Sequence, residues 1–139
     1  MGIDYGSKRV GVALSDESGL LAMPLKVIIN SENLVSDILD ICKDKEVGEI
    51  VVGESLDFSQ NENKIMRDIK PFVESLKARS GLQVHLHPEF MTSEEAERTQ
   101  TRRMPTGTRL RSREVINKMH DASAAAIILR SFLDINKNK

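Results

Sequence analysis

The stretch Met1-Gly2-Ile3-Asp4-Tyr5-Gly6-Ser7-Lys8-Arg9-Val10-Gly11-Val12-Ala13-Leu14-Ser15 decides how this chain is read. Its first residues make a short apolar strand with one carboxylate, Asp4, at the end. Gly6 breaks the strand, two cations follow, and Val10 to Leu14 runs back as a second strand. The spacing is that of a β-hairpin with Asp4 at its lip. An acid held on a rigid strand beside a glycine turn is placed to hold a divalent cation near a phosphate. The plainer reading makes Asp4 a turn residue only. The first strand starts almost at Met1, so either it is short or a few native residues precede it.

Working outward, 139 residues suit one domain over 1–139 with a sizeable core. A net charge of −1 does not advertise a nucleic-acid binder, but the distribution of charge does. From Arg98 to Arg113 there are six arginines (98, 102, 103, 109, 111 and 113) and no acid. Arginine alone suits phosphate contacts better than solubility requires, against the plainer reading of a solvated, mobile segment. The single cysteine, Cys42, excludes an internal disulfide framework and a Cys-based zinc site. It falls on the apolar stripe of a predicted helix, which makes it a buried thiol. No stretch is apolar enough to span a membrane and no signal peptide is visible, so a soluble, cytoplasmic protein is expected.

The pattern along the chain reads βββαβαβαα. Leu20 to Ile29 is a third extended run, with Pro24 pointing to an edge or a bulge. Glu32 to Lys45 is a helix with Leu34, Val35, Ile38, Leu39 and Cys42 on one face, capped by Asn30 or Ser31. Glu49 to Gly53 is a short apolar strand suited to a buried sheet centre, and Glu54 to Asn63 is a loop. A helix then carries Ile65, Met66, Ile69, Phe72, Val73 and Leu76 in register. Pro71 within it implies a kink, or a restart with the proline in the first turn. Gly81 ends that helix and Leu82 to Leu86 is the last strand. Thr92 and Glu95 have capping-box spacing, and Glu114 to Leu133 is the final helix, before a frayed tail. The order implies an α/β fold, a mixed five-stranded sheet with helices packed on it.

In such folds ligands bind at the carboxyl ends of the strands. Three acids are candidates to meet there: Asp4, Glu89 just after the last strand, and Asp121 in the final helix. From Ala122 to Leu133 that helix is nearly all apolar or small, so it should be buried, and its alanines permit close approach to the sheet. A carboxylate at the mouth of such a segment is costly unless paired or metal-bound. Lys118, one turn earlier, is the alternative partner. His85 and His87 share a strand face, but two histidines without a third ligand make a weak metal site.

Four ordered motifs now carry a resemblance. Gly-Ile-Asp-Tyr-Gly-Ser-Lys-Arg-Val-Gly-Val-Ala at 2–13 resembles the opening motif of the YqgF/RuvX family. Ile50 to Gly53 resembles that family's central strand, and Glu89 to Glu97 its "ERLTT-x-EAE" segment. Asp121 to Leu129 resembles its terminal "DALAAALIL" helix. The resemblance implies a ribonuclease H-like fold and a metal-dependent nuclease acting in 5′-end processing of precursor 16S ribosomal RNA. Holliday junction resolution on four-way DNA is the alternative. It makes Asp4, Glu89 and Asp121 the catalytic acids and the ligands of Mg²⁺ or Mn²⁺. Two such ions about 3.5–4 Å apart would activate water and stabilise the leaving oxygen.

Lys8 and Arg9 match the opening motif and are assigned to nucleic-acid backbone contacts. Arg102, Arg103, Arg109, Arg111 and Arg113 are assigned to a mobile basic arm over about 102–113. His120 adjoins Asp121 and is a candidate for proton transfer or product release. With four Phe and one Tyr, base stacking contributes little, and backbone and shape recognition are expected. Two departures stand out. Pro88-Glu89-Phe90 replaces the family's Asp-Glu-Arg, and Gly53-Glu54-Ser55 lacks its Gly-x-Pro proline. Glu54 is a candidate substitute for the lost acid.

Other classes stay open. A sugar-kinase-like or actin-like ATPase also opens on Asp-x-Gly, but needs two such domains around a cleft. A non-catalytic RNA-binding homologue would explain the basic arm and the altered loop. Precursor ribosomal RNA is preferred to branched DNA because a resolvase should be a symmetric dimer and no exposed apolar stripe is evident in the sequence. A monomer or weak dimer is expected.

Overall fold

The computed structural model describes residues 1–55, 64–89 and 113–137, the side chains of Ser55, Glu89 and residues 113–121 excepted. Eight elements follow in chain order. Strands β1 (Gly2–Tyr5), β2 (Arg9–Ser15) and β3 (Ala22–Ile29) precede helix α1 (Leu34–Asp44). Then come β4 (Glu49–Ser55), α2 (Met66–Ser80), β5 (Gln83–Glu89) and α3 (Arg113–Lys137). The strands form one mixed sheet in the order β3-β2-β1-β4-β5. β1 pairs antiparallel with β2 and parallel with β4, and β4 pairs parallel with β5.

Strand alternation sorts the side chains into two cores. Ile3, Val10, Val12, Ile50, Val52 and Val84 face α1 and α2, where they meet Leu34, Ile38, Ile69 and Leu76. Tyr5 joins this side, its ring 4.9 Å from that of Phe72. Ala13 and Val51 face the other way, against Ala125, Ala126, Ile128 and Leu129 of α3. Neighbouring residues of one strand thus serve opposite layers, which is why the apolar runs of β2 and β4 are nearly continuous. Cys42 is buried, as its place on the helical stripe predicts, and burial pushes its thiol pKa up.

β3 is an edge strand and its pairing with β2 shifts register between Val12 and Ala13, so Pro24 occupies both settings that tolerate it. The β2–β3 turn is held by Asp16, whose carboxylate accepts from Ser18 Oγ at 2.6 Å, Leu20 N at 2.8 Å and Leu21 N at 3.0 Å. That turn exposes Leu20 and Leu21, and Met23 and Leu25 follow them on β3. An exposed apolar run therefore exists, contrary to the sequence reading, on the edge strand β3 and the turn before it.

Other boundaries also move. Neither Asn30 nor Ser31 caps α1; Asn33 does, without a side-chain bond. Pro71 neither restarts α2 nor sits in its first turn: the helix begins at Met66 and runs through it. Pro71 is exposed, and the bond it forfeits lies in the second turn. Gly81 ends α2 at φ 70°, a left-handed conformation that favours glycine. The final helix reaches Lys137, past the Leu133 end that the sequence predicts. The capping-box helix at Thr92 lies outside the described residues.

Candidate functional site

Asp4 stands on a central strand, directly opposite Gly11 of β2. Alternation places it on the face of Gly2, towards α3, while Ile3 and Tyr5 face α1 and α2. It is half-buried. β1, β4 and β5 run parallel, so Asp4, Ser55 and Glu89 end at one edge of the sheet. Ile3 pairs with Val52, and Val52 with Leu86, so Asp4, Gly53 and His87 form the next row across the strands.

Glu89 is the last residue of β5, paired with Ser55, rather than a residue of the following loop. β5 is longer than the sequence suggested because an edge strand accepts Pro88. Position 89 shares parity with His85 and His87, whose rings lie against Phe132 of α3. It stands two strands from Asp4, about 9.6 Å in the pairing direction.

The placement of position 121 follows from how α3 docks. A Cβ on Gly2 would come 2.6 Å from the Ala125 carbonyl oxygen and 2.7 Å from Leu129 Cβ, so helix and strand meet at backbone distance. Leu133 packs by Gly19 in the β2–β3 turn, beside the amino end of β1, so α3 runs opposite to β1. Position 121 is one turn from Ala125 on the side of Asp4. Gly2 meets α3 between Ala125 and Leu129, and from there both backbone paths run towards the same edge of the sheet, so positions 4 and 121 lie on one face towards that edge.

Lys8 and Arg9 lie on the hairpin tip at this same edge, Lys8 exposed and Arg9 half-buried. Arg98, Arg102, Arg103, Arg109 and Arg111 lie outside the described residues, and Arg113 begins α3. Glu54 is corrected. It belongs to β4, paired with Pro88, and alternates with Ile50 and Val52 towards α1 and α2. The sheet separates it from Asp4's face, so it is no substitute for the lost acid.

The two histidines of β5 already have partners. His85 Nε2 is 3.0 Å from Glu49 Oε2, and His87 Nε2 is hydrogen-bonded with Ser131 Oγ at 2.9 Å. Burial lowers the pKa of His87. Among the described residues no three of His, Cys, Asp and Glu cluster to hold a metal. Oxygen donors at positions 4, 89 and 121 would suit a hard divalent ion, for which carboxylates are the usual ligands. A cleft of ≈ 810 Å³ opens at the opposite edge, lined by Met1, Leu14, His85, Phe132 and Leu133 among others. That cleft lies away from positions 4, 89 and 121, whose acid chemistry marks the candidate site.

Asn30 is the residue that sequence reasoning missed. Its Nδ2 donates to Gly6 O at 2.8 Å and its backbone N–H to Lys8 O at 2.9 Å. An amide just past a strand end reads equally well as a cap or a clip, and only the packing of β3 beside the hairpin decides between them.

A mixed sheet of this order between helices, with an acid at the end of its central strand, defines a ribonuclease H-like α/β protein. The solved structures agree on the fold. Thermus thermophilus RuvC aligns with a TM-score of 0.59 at 17% identity, over 99% of this chain and 95% of that one. Fowlpox virus resolvase, in a complex with Holliday junction DNA, aligns with a TM-score of 0.59 at 10% identity, over 97% and 96%. The family model "RuvX: Holliday junction resolvase" matches residues 1–135, and the chain belongs to that family. Curated relatives carry the name "Putative pre-16S rRNA nuclease". One from Nitratidesulfovibrio vulgaris is 33% identical over 100% of this chain and 95% of its own length. Another, from Thermoanaerobacter pseudethanolicus, is 36% identical over 100% and 98%. No described helix is long and apolar enough to cross a membrane.

Proposed function

We propose that this chain is a metal-dependent nuclease that hydrolyses phosphodiester bonds in the 5′-end processing of precursor 16S ribosomal RNA. Family membership and the names of the curated relatives support the reaction class. The observation that supports the site is the docking of α3 on Gly2, with position 121 on the same face as Asp4 and towards the same edge of the sheet. Asp4, Glu89 and Asp121 would hold Mg²⁺ or Mn²⁺. Bound there, the metal supplies an activated water and stabilises the leaving oxygen.

The chain's own groups do the rest. Asp4 sits on a strand bonded on both sides, so its carboxylate is held without reorganisation. Lys8 and Arg9 attract and orient the phosphate backbone at the same edge, and the basic arm over about 102–113 adds contacts that carry no sequence information. The whole chain, 1–139, acts as one domain in this reading. The preference for RNA rests on the relatives' names, because the exposed Leu20, Leu21, Met23 and Leu25 remove the argument from a missing apolar stripe. Four-way DNA is the second reading, favoured by the family model and by the fowlpox complex.

The test is Mn²⁺-dependent shortening of a 5′-extended 16S precursor by wild type and by Asp4→Asn. Shortening by wild type and none by a folded Asp4→Asn protein supports the proposal. Equal shortening by both removes the metal-site assignment. No shortening by wild type, with cleavage of a four-way junction, transfers the activity to DNA.

A further inference from the structure

We propose that Asn30 is a positioning residue that holds the β1–β2 hairpin tip so that Lys8 and Arg9 meet a nucleic-acid backbone in a preset orientation. The inference rests on the nuclease reading above and concerns how that site takes its substrate. Three observations converge on it.

First, the loop is tight. Only Gly6, Ser7 and Lys8 separate β1 from β2, and a Cβ on Gly6 would collide with the Arg9 carbonyl oxygen. Second, the loop is fastened from outside the hairpin at both of its ends. The Asn30 side-chain amide donates to Gly6 O at 2.8 Å, and the Asn30 backbone N–H donates to Lys8 O at 2.9 Å. Third, the fastening comes from the next strand. Ile29 of β3 pairs with Arg9, so Asn30 is the first residue past the ladder, where its amide reaches the tip.

The chemistry explains why an amide serves here. Gly6 O is an acceptor, so it needs a donor, and Asn30 supplies one without adding charge between Asp4 and the two cations. A three-residue tip with unfastened ends would wander, and each phosphate contact would then first have to order it. Fastened, the tip presents Lys8 and Arg9 already placed. Loss of one such hydrogen bond is expected to weaken binding about fivefold to tenfold.

The experiment is a double-mutant cycle read by fluorescence anisotropy of a labelled single-stranded precursor RNA segment. It is run without divalent metal, so that no strand is cut. Asn30→Leu keeps the size and neutrality of the side chain and removes its donor. Asn30→Ala runs the same cycle should the leucine variant fail to fold. The expected result is a fivefold to tenfold weaker Kd for Asn30→Leu in the wild-type background. In a protein already carrying Lys8→Ala and Arg9→Ala, the same change costs less than twofold. A general structural role would give equal losses in both backgrounds, and that result overturns the proposal while leaving the nuclease reading intact. Undiminished binding by Asn30→Leu overturns it as well. Wild type that binds no RNA removes the RNA-processing reading together with the proposal.

Discussion

Gly2→Ala tests the close contact between β1 and α3. The new Cβ would lie 2.6 Å from Ala125 O and 2.7 Å from Leu129 Cβ. Ordinary contact begins at 3.4 Å, so α3 must retreat by about 0.8 Å. Neither obstacle is the end of a flexible side chain, so no rotamer change relieves the clash. Overpacking costs about 1–3 kcal/mol, and the rigid setting puts this change near the upper figure. For a chain of this length that corresponds to a fall in Tm of about 10 °C. The same retreat carries position 121 away from Asp4, and misplacement on the order of 1 Å costs about a hundredfold in rate. The assay is thermal unfolding beside precursor cleavage at 25 °C, where the variant remains folded. Gly48→Ala is the control, because nothing lies within 4 Å of its added Cβ, and a change within about 1 kcal/mol is expected. A Gly2→Ala protein that melts within about 2 °C of wild type and cleaves at the wild-type rate refutes the docking argument.

Leu76 has no exposed surface, and Leu76→Ala should cost about 3–5 kcal/mol in urea unfolding; a loss below 1 kcal/mol would show that its site collapses freely. His87 has its pKa lowered in the folded state by burial. As pH falls through about 6.5 the unfolded chain takes up the proton first, so this group removes stability towards acid. His87→Gln should therefore lose less stability than wild type between pH 7.5 and pH 5.5, and parallel stability profiles would contradict the sign. Replacing Arg102, Arg103, Arg109, Arg111 and Arg113 by alanine should weaken RNA binding and flatten its salt dependence, by up to about 0.7 in log–log slope for each phosphate no longer neutralised. An unchanged slope in a salt titration would remove the arm from the interface.

Much of the architecture was legible in the residues. The hairpin at 1–15, the buried run Ile50 to Gly53 and the stripes of α1 and α2 lie where their periodicities predict. The boundaries that moved did so for reasons of context. β5 continues through Pro88 because, among the described residues, no strand pairs with its outer side. β4 extends to Ser55 because β5 runs beside it, residue for residue. Within the candidate site, Asp4 was identifiable from a local pattern. The error over Glu54 was one of parity: a residue two beyond Val52 must share its face, but only strand pairing reveals that the strand reaches it.

The local order of residues by itself determined which segments become strands and helices, and offered Asp4 and Asp121 as candidate acids, because these depend on spacing and side-chain type. The family resemblance was likewise a property of motifs in order along the chain. Tertiary structure decided the rest. It set β1 between β2 and β4, put Glu54 behind the sheet, turned Asn30 from a cap into a clip and drew α3 to backbone distance from Gly2. Those outcomes depend on contacts between residues far apart in sequence. Pairing register and steric fit settle them, and no local periodicity encodes either.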